Sequence, residues 1–197
     1  MVICIVGKSG SGKSTISSML EKYSKDIIKL DVDLFSHKTL EIDEVKNEIL
    51  NKIGNVFDDN FNVDRKQLSK IVFNNHDKLS ILNNISWKYM EIMIDNFLEE
   101  NKDKIVIIDW LLSPLTKYFS SSDLKILVDA DYNVRKNRVI KRDNIDDVAF
   151  YKRELASIDL SKYKYDYIIN NNYGIKESEV EKIYDKSIIY RKFWSYY

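Results

Sequence analysis

The chain has 197 residues, with 31 lysine plus arginine against 31 aspartate plus glutamate and 44% apolar residues. That length holds one well-formed core with a small appended unit, and the even charge balance excludes a strong field for nucleic acid or an anionic membrane. A single cysteine, Cys4, excludes a disulfide within the chain, and no apolar stretch approaches the ~18 residues that a bilayer span needs. With no basic n-region or cleavage site at the start, a cytoplasmic setting is expected.

Val2 to Val6 is an apolar, β-branched run that predicts a strand buried on both faces, with Cys4 inside it as a packing residue. Gly7 to Ser14 then reads G-x-x-x-x-G-K-S, the phosphate-binding P-loop. Its glycines permit a tight turn whose N–H groups converge on phosphate oxygens. Ser9, Gly10, Ser11, Gly12, Lys13, Ser14 and Thr15 are the nucleotide-binding candidates. Lys13 reaches the β- and γ-phosphates, and the Ser14 hydroxyl is placed for Mg²⁺. The helix expected from Lys13 to Tyr23 turns its positive end toward the same anion. Strand, loop and helix in this order predict a site for a nucleoside triphosphate with Mg²⁺.

Ile27 to Asp31 reads as a second strand ending in acid, followed by Asp33 and a short helix carrying Phe35, Ser36 and His37. From Leu40 to Lys102 the apolar residues recur at helical spacing, with turn material at Gly54-Asn55 and Asp58-Asp59-Asn60; two or three helices are expected. Lys104 to Asp109 is a third strand and Leu124 to Val128 a fourth, with Asp131 at an N-cap position. A basic helix over Asn133 to Arg142 follows, then a charged helical segment over 144–157. Tyr165 to Asn170 is a fifth strand, and Glu177 to about Phe193 a closing helix with an aromatic tail. Strands alternating with helices predict an α/β, three-layer P-loop fold with a five-stranded parallel sheet and right-handed crossovers. The expected organisation is one domain: a core over 1–39 and 104–197, an inserted helical cap over about 40–103, and a lid over about 138–157.

Moving a γ-phosphoryl group needs charge neutralisation, an aligned acceptor and often a carboxylate to take the acceptor's proton. Asp33, just past a strand end, is a candidate for that carboxylate; it and Asp31 equally fit an N-cap or a surface ion pair. Asp109 closes its strand as a Walker-B aspartate does, or as an ordinary strand-end cap. Arg138 and Arg142, four apart, share a helical face and suit a polyphosphate clamp; a solvated basic helix is the plainer alternative.

Taken together, the pieces resemble the dephospho-coenzyme A kinase family nearly end to end. The resemblance rests on Gly7 to Thr15, Asp31-Val32-Asp33 with His37, Asn62-Val63-Asp64-Arg65 running on to Phe73, and Ile81 to Ile85. Leu111-Leu112, Arg138 to Asp143 and Asp166 to Asn171 extend it. It implies transfer of the ATP γ-phosphate to the 3′-hydroxyl of dephospho-coenzyme A, with ATP and Mg²⁺ as the cofactors. By the same resemblance Asp33 is the general base, and Lys13, Arg138 and Arg142 serve catalysis. His37 and Arg65 lie on the acceptor side, and Asn171 near the adenine. Ser86-Trp87 and Trp110 to Pro114 depart from the family pattern, which motivates one alternative, a kinase of the same kind for a nucleoside or nucleotide; a nucleotide-binding regulatory protein without transfer chemistry is a second alternative, of a different class.

Overall fold

The computed structural model describes residues 1–73 and 75–194; the side chains of Asp33, Phe73 and 190–194, and the last three residues of the aromatic tail, lie outside the described residues. The chain divides into two compact units: Met1–Asp31 joined with the chain from Asn101 onward, and Val32–Glu100.

The first unit is built on five parallel strands: β1 (Val2–Val6), β2 (Ile27–Leu30), β3 (Ile105–Asp109), β4 (Leu124–Asp129) and β5 (Tyr167–Asn170), in the order β2-β3-β1-β4-β5. The expected α/β class and five-stranded parallel sheet are thus observed. β1 is the central strand, with Val2 paired to Val106 and Ile3 to Leu124. Its side chains alternate between faces. Ile3 and Ile5 join Ile105, Ile107, Leu124 and Ile126 in one core, against Ile16 and Leu20 of α1 (Lys13–Glu21) and Val180 and Ile183 of the final helix (Glu177–Trp194). Cys4 faces the other way; it is fully buried, and its Sγ approaches the carbonyl of Tyr118 at 3.7 Å. Burial pushes this thiol up to about 11, so it packs and does not react.

The helical unit contains α2 (Val32–Thr39), α3 (Asp43–Lys52), α4 (Arg65–Phe73) and α5 (His76–Glu100). α3 and α4 pack on α5 around Val45, Ile49, Ile53, Val56, Leu68, Val72 and Ile85, and α2 packs on α5 through Phe35 against Phe97. Between α3 and α4 the turn-rich stretch makes a tight loop, with Phe57 bridged to Val63 and stacked on Phe61 at 4.5 Å.

Two local features differ from expectation. A 3₁₀ turn (Ser113–Leu115) and the five-residue α6 (Lys117–Ser121) follow β3, too short to leave a periodic signal. As expected, the basic helix and the charged segment after it are two helices, α7 (Tyr132–Asp143) and α8 (Asp147–Leu155), separated where Asn144 turns left-handed at φ 50°. Asp131 does occupy the N-cap position of α7, but its side chain makes no capping bond; its N–H donates instead to Asn172 Oδ1 at 2.7 Å.

Candidate active site

The loop between β1 and α1 is shaped by what presses on it. A Cβ on Gly7 would lie 2.2 Å from the carbonyl oxygen of Val128 in β4. Only a glycine lets β1 leave the sheet beside that strand. Gly12 has φ 102° and would place a Cβ 2.2 Å from Asn171 Nδ2. It opens α1 with no side-chain cap, so the first-turn amides and the positive end of the helix dipole are offered to an anion. Ser9, Gly10 and Ser11 form the loop, and Lys13, Ser14 and Thr15 the first turn of α1, with Ser14 and Thr15 exposed.

Asn171 and Arg138 fasten this loop. Asn171, buried just beyond β5, donates from Nδ2 to the Ser11 carbonyl at 2.7 Å. Arg138 of α7 donates to the Asn171 carbonyl at 2.8 Å and to the Gly10 carbonyl at 3.3 Å. The two residues therefore meet at the loop, both through its backbone. Arg142, on the same helix, does not join them: its guanidinium grips Asp143, which Arg153 also engages. Those two arginines, Arg142 foremost, hold the Asp143 carboxyl well below the usual carboxylate range.

A second cluster was not legible beforehand. Glu154 of α8 takes two bonds from Arg135 of α7, at 2.7 and 3.0 Å, and one from Lys8 of the loop at 2.6 Å. Arg135 is 5% exposed, and its Nε is tied to the Ala130 carbonyl at 3.0 Å. The Arg135 fork first, then Lys8, brings the Glu154 carboxyl down to about 2. Lys8 sits inside the motif and was the one available signal; nothing in the sequence distinguishes Glu154 or the burial of Arg135.

Asp109 ends β3 and is buried. Its Oδ2 accepts from Ser17 Oγ at 3.2 Å and faces Lys29 Nζ at 3.3 Å, while Oδ1 is buried with no hydrogen-bond partner. A buried orphan carboxylate oxygen calls for a partner. Mg²⁺, or a water it carries, suits this hard oxygen, with the Ser14 hydroxyl as a further oxygen donor. Among the described residues no group of three or more His, Cys, Asp or Glu gathers for a metal.

In the helical unit, His37 of α2 and Arg65 of α4 are brought together: Arg65 Nη2 lies 3.0 Å from His37 Nε2, and both are exposed. Because a guanidinium only donates, Nε2 must present its lone pair. Asp33 is the second residue of α2, and its side chain lies outside the described residues. Ser86 and Trp87 are half-buried in α5, while Trp110 is buried after β3.

The dephospho-CoA kinase family (CoaE) model matches residues 1–177. A dephospho-CoA kinase of Fusobacterium nucleatum subsp. nucleatum is 34% identical over 90% of this chain and 92% of its own length. One of Aquifex aeolicus is 30% identical, over 93% and 96% respectively. Among solved structures, TT1252 from Thermus thermophilus superposes with a TM-score of 0.75 over 97% of each chain at 20% identity. A dephospho-CoA kinase from Campylobacter jejuni gives 0.59 over 95% of each at 23% identity; these two likenesses speak for the fold. A phosphate loop built around obligatory glycines, in a chain that the family model matches over residues 1–177 and the Fusobacterium nucleatum relative over 90% of its length, leaves one assignment: the chain belongs to the dephospho-CoA kinase family.

Proposed function

We propose that this chain works as a dephospho-CoA kinase, transferring the γ-phosphate of ATP to the 3′-hydroxyl of dephospho-coenzyme A and releasing ADP and coenzyme A. The observation that carries this reading is the uncapped start of α1 behind Gly12, in a chain whose family carries out this transfer. In the reaction the acceptor oxygen forms a bond to the γ-phosphorus as the bridging bond to the β-phosphate breaks. The proton of the hydroxyl passes to a carboxylate, for which Asp33 is the candidate by its place in the family motif. Lys13 and the loop amides hold the β- and γ-oxygens, and Ser14 and Asp109 would hold Mg²⁺, which would supply further positive charge against the polyphosphate.

Arg138 supports transfer by keeping the Gly10 carbonyl turned toward its guanidinium, so that neighbouring loop amides stay directed at phosphate. Asn171 acts on the nucleotide side in the same way, through Ser11. Arg142 would exchange Asp143 for phosphate oxygens, and the His37–Arg65 pair would receive an anionic part of the acceptor. The reaction belongs to the cytoplasm; among the described residues no helix is long and apolar enough to cross a membrane.

A coupled ADP-release assay with ATP, Mg²⁺ and a panel of dephospho-CoA, adenosine and AMP tests the reading. Dephospho-CoA should stimulate ADP release far above the others; no stimulation by it would refute the assignment. Asp33→Asn should lower turnover on the order of 10²–10⁴-fold with ATP affinity retained, as loss of a general base does. Wild-type turnover in that variant would remove Asp33 from the role.

A further inference from the structure

The second residue of the phosphate loop carries a charge that the motif does not require. Lys8 extends its ammonium to Glu154 Oε1 at 2.6 Å, yet that oxygen already accepts Arg135 Nη2 at 3.0 Å, and Oε2 accepts Arg135 Nη1 at 2.7 Å. Two cations thus share one carboxylate, and they are not equivalent. The Arg135 side chain is 6% exposed and anchored a third time at the Ala130 carbonyl, whereas the Lys8 side chain is 27% exposed and held only at its tip. If Lys8 departs, Glu154 keeps a bidentate partner, so exchange strands no buried charge. Lys8 is also part of the loop backbone, its carbonyl accepting the Ser11 N–H at 3.0 Å. Its stem therefore starts from the segment that wraps the anion.

We propose that Lys8 is a second phosphate-binding cation of the loop, and that Glu154 is its resident counter-ion, which competes with the triphosphate for it. The empty loop keeps its extra positive charge parked on α8; a bound polyphosphate, carrying more negative charge than one carboxylate, draws Lys8 across. Glu154 is a positioning residue in this scheme: it sets how much of the Lys8 charge is available and so the affinity for polyphosphate. The inference rests on the reading of the loop as a triphosphate site.

Titration calorimetry with MgATP, and separately with inorganic tripolyphosphate, on wild type, Lys8→Met, Glu154→Gln and the double variant provides the test. Glu154→Gln frees Lys8, and binding of both probes should tighten roughly three- to fivefold, the range of a partly exposed ion pair. The decisive reading is non-additivity. If Lys8 exchanges one anion for another, Lys8→Met should cost about fivefold in the Glu154→Gln background and at most about twofold with Glu154 present. A charge that acts only at a distance, or an ion pair that only braces the fold, gives the same cost in both backgrounds, and that result overturns the proposal. Thermal melts accompany the series. Should Glu154→Gln unfold, Glu154→Asp replaces it in the cycle, since its shorter carboxylate stays with Arg135 and withdraws from Lys8. Wild type that fails to bind MgATP at all would refute the triphosphate reading itself, a result separate from an additive cycle.

Discussion

Replacing Gly7 by alanine isolates a steric demand that precedes any role in binding phosphate. The new methyl carbon would sit 2.2 Å from the Val128 carbonyl oxygen and 2.5 Å from Ser11 Oγ, more than 1 Å inside ordinary van der Waals contact in the first case. Neither side retreats easily. Val128 belongs to β4, which is paired on one side with β1 and on the other with β5, where Val128 itself registers with Ile169. The Ser11 hydroxyl is buried in the loop. Overpacking of this kind costs about 3 kcal/mol, the upper end of its usual range. For a chain of this size that lowers the melting temperature by about 6–12 °C. Gly174→Ala is the internal comparison: its φ is 101° but nothing lies within 4 Å of the added carbon. Only the conformational cost of about 1–2 kcal/mol applies there. Differential scanning calorimetry of the two variants should place Gly7→Ala below Gly174→Ala. If Gly7→Ala melts within about 2 °C of wild type, the contact with β4 is not what demands glycine.

Acid should find the Glu154 cluster. Because Arg135 and Lys8 bring this carboxyl from an ordinary 4.5 to about 2, its contribution to stability is complete above the unfolded value and is lost as pH falls from about 4.5 through 2. Melts of wild type across that window should decline more steeply than those of Glu154→Gln; parallel declines would refute the shift. Asp109→Asn should raise the Mg²⁺ concentration needed for half-maximal ADP release by about 10–100-fold, as loss of an oxygen supporting a metal site does. An unchanged Mg²⁺ midpoint would take Asp109 out of the metal's surroundings.

What could be read beforehand divides along physical lines. β1, the loop and α1 follow from short-range rules: a β-branched run, glycines at fixed intervals, and a helix start with no cap of its own. The buried strands read clearly for the same reason, since Ile105–Asp109 is apolar at every position but the last. Arg138 could be singled out because it shares a helical face with Arg142, yet the two do different things. Arg138 bonds to main-chain oxygens 128 and 33 residues away, whereas Arg142 bonds to its own neighbour. Spacing shows which face a side chain occupies, and the tertiary fold decides what waits there. The same limit hid Arg135: in a helix of five cations it looked solvated, and only α8, bringing Glu154 from 19 positions downstream, makes its burial affordable. α5 illustrates the opposite case, where 25 residues of sustained helical spacing left its type in little doubt.

The central position of β1 also governs the order in which this protein can assemble. Val2 waits for Val106 and Ile3 for Leu124, so β1 stays unpaired until β3 and β4 have been synthesised. Loop closure over that distance must come before any gain from pairing. Residues 32–100 face no such delay, because α2, α3 and α4 pack on α5 within one contiguous stretch. Emerging from a ribosome, that middle stretch can therefore take shape while an apolar strand ahead of it is still exposed, a period during which aggregation competes with folding. The phosphate loop comes later still, since its fastening at Ser11 depends on Asn171. Nucleotide binding should thus report the last stage of maturation, and a chain truncated before β5 would retain every residue of the motif without the shape that gives it meaning.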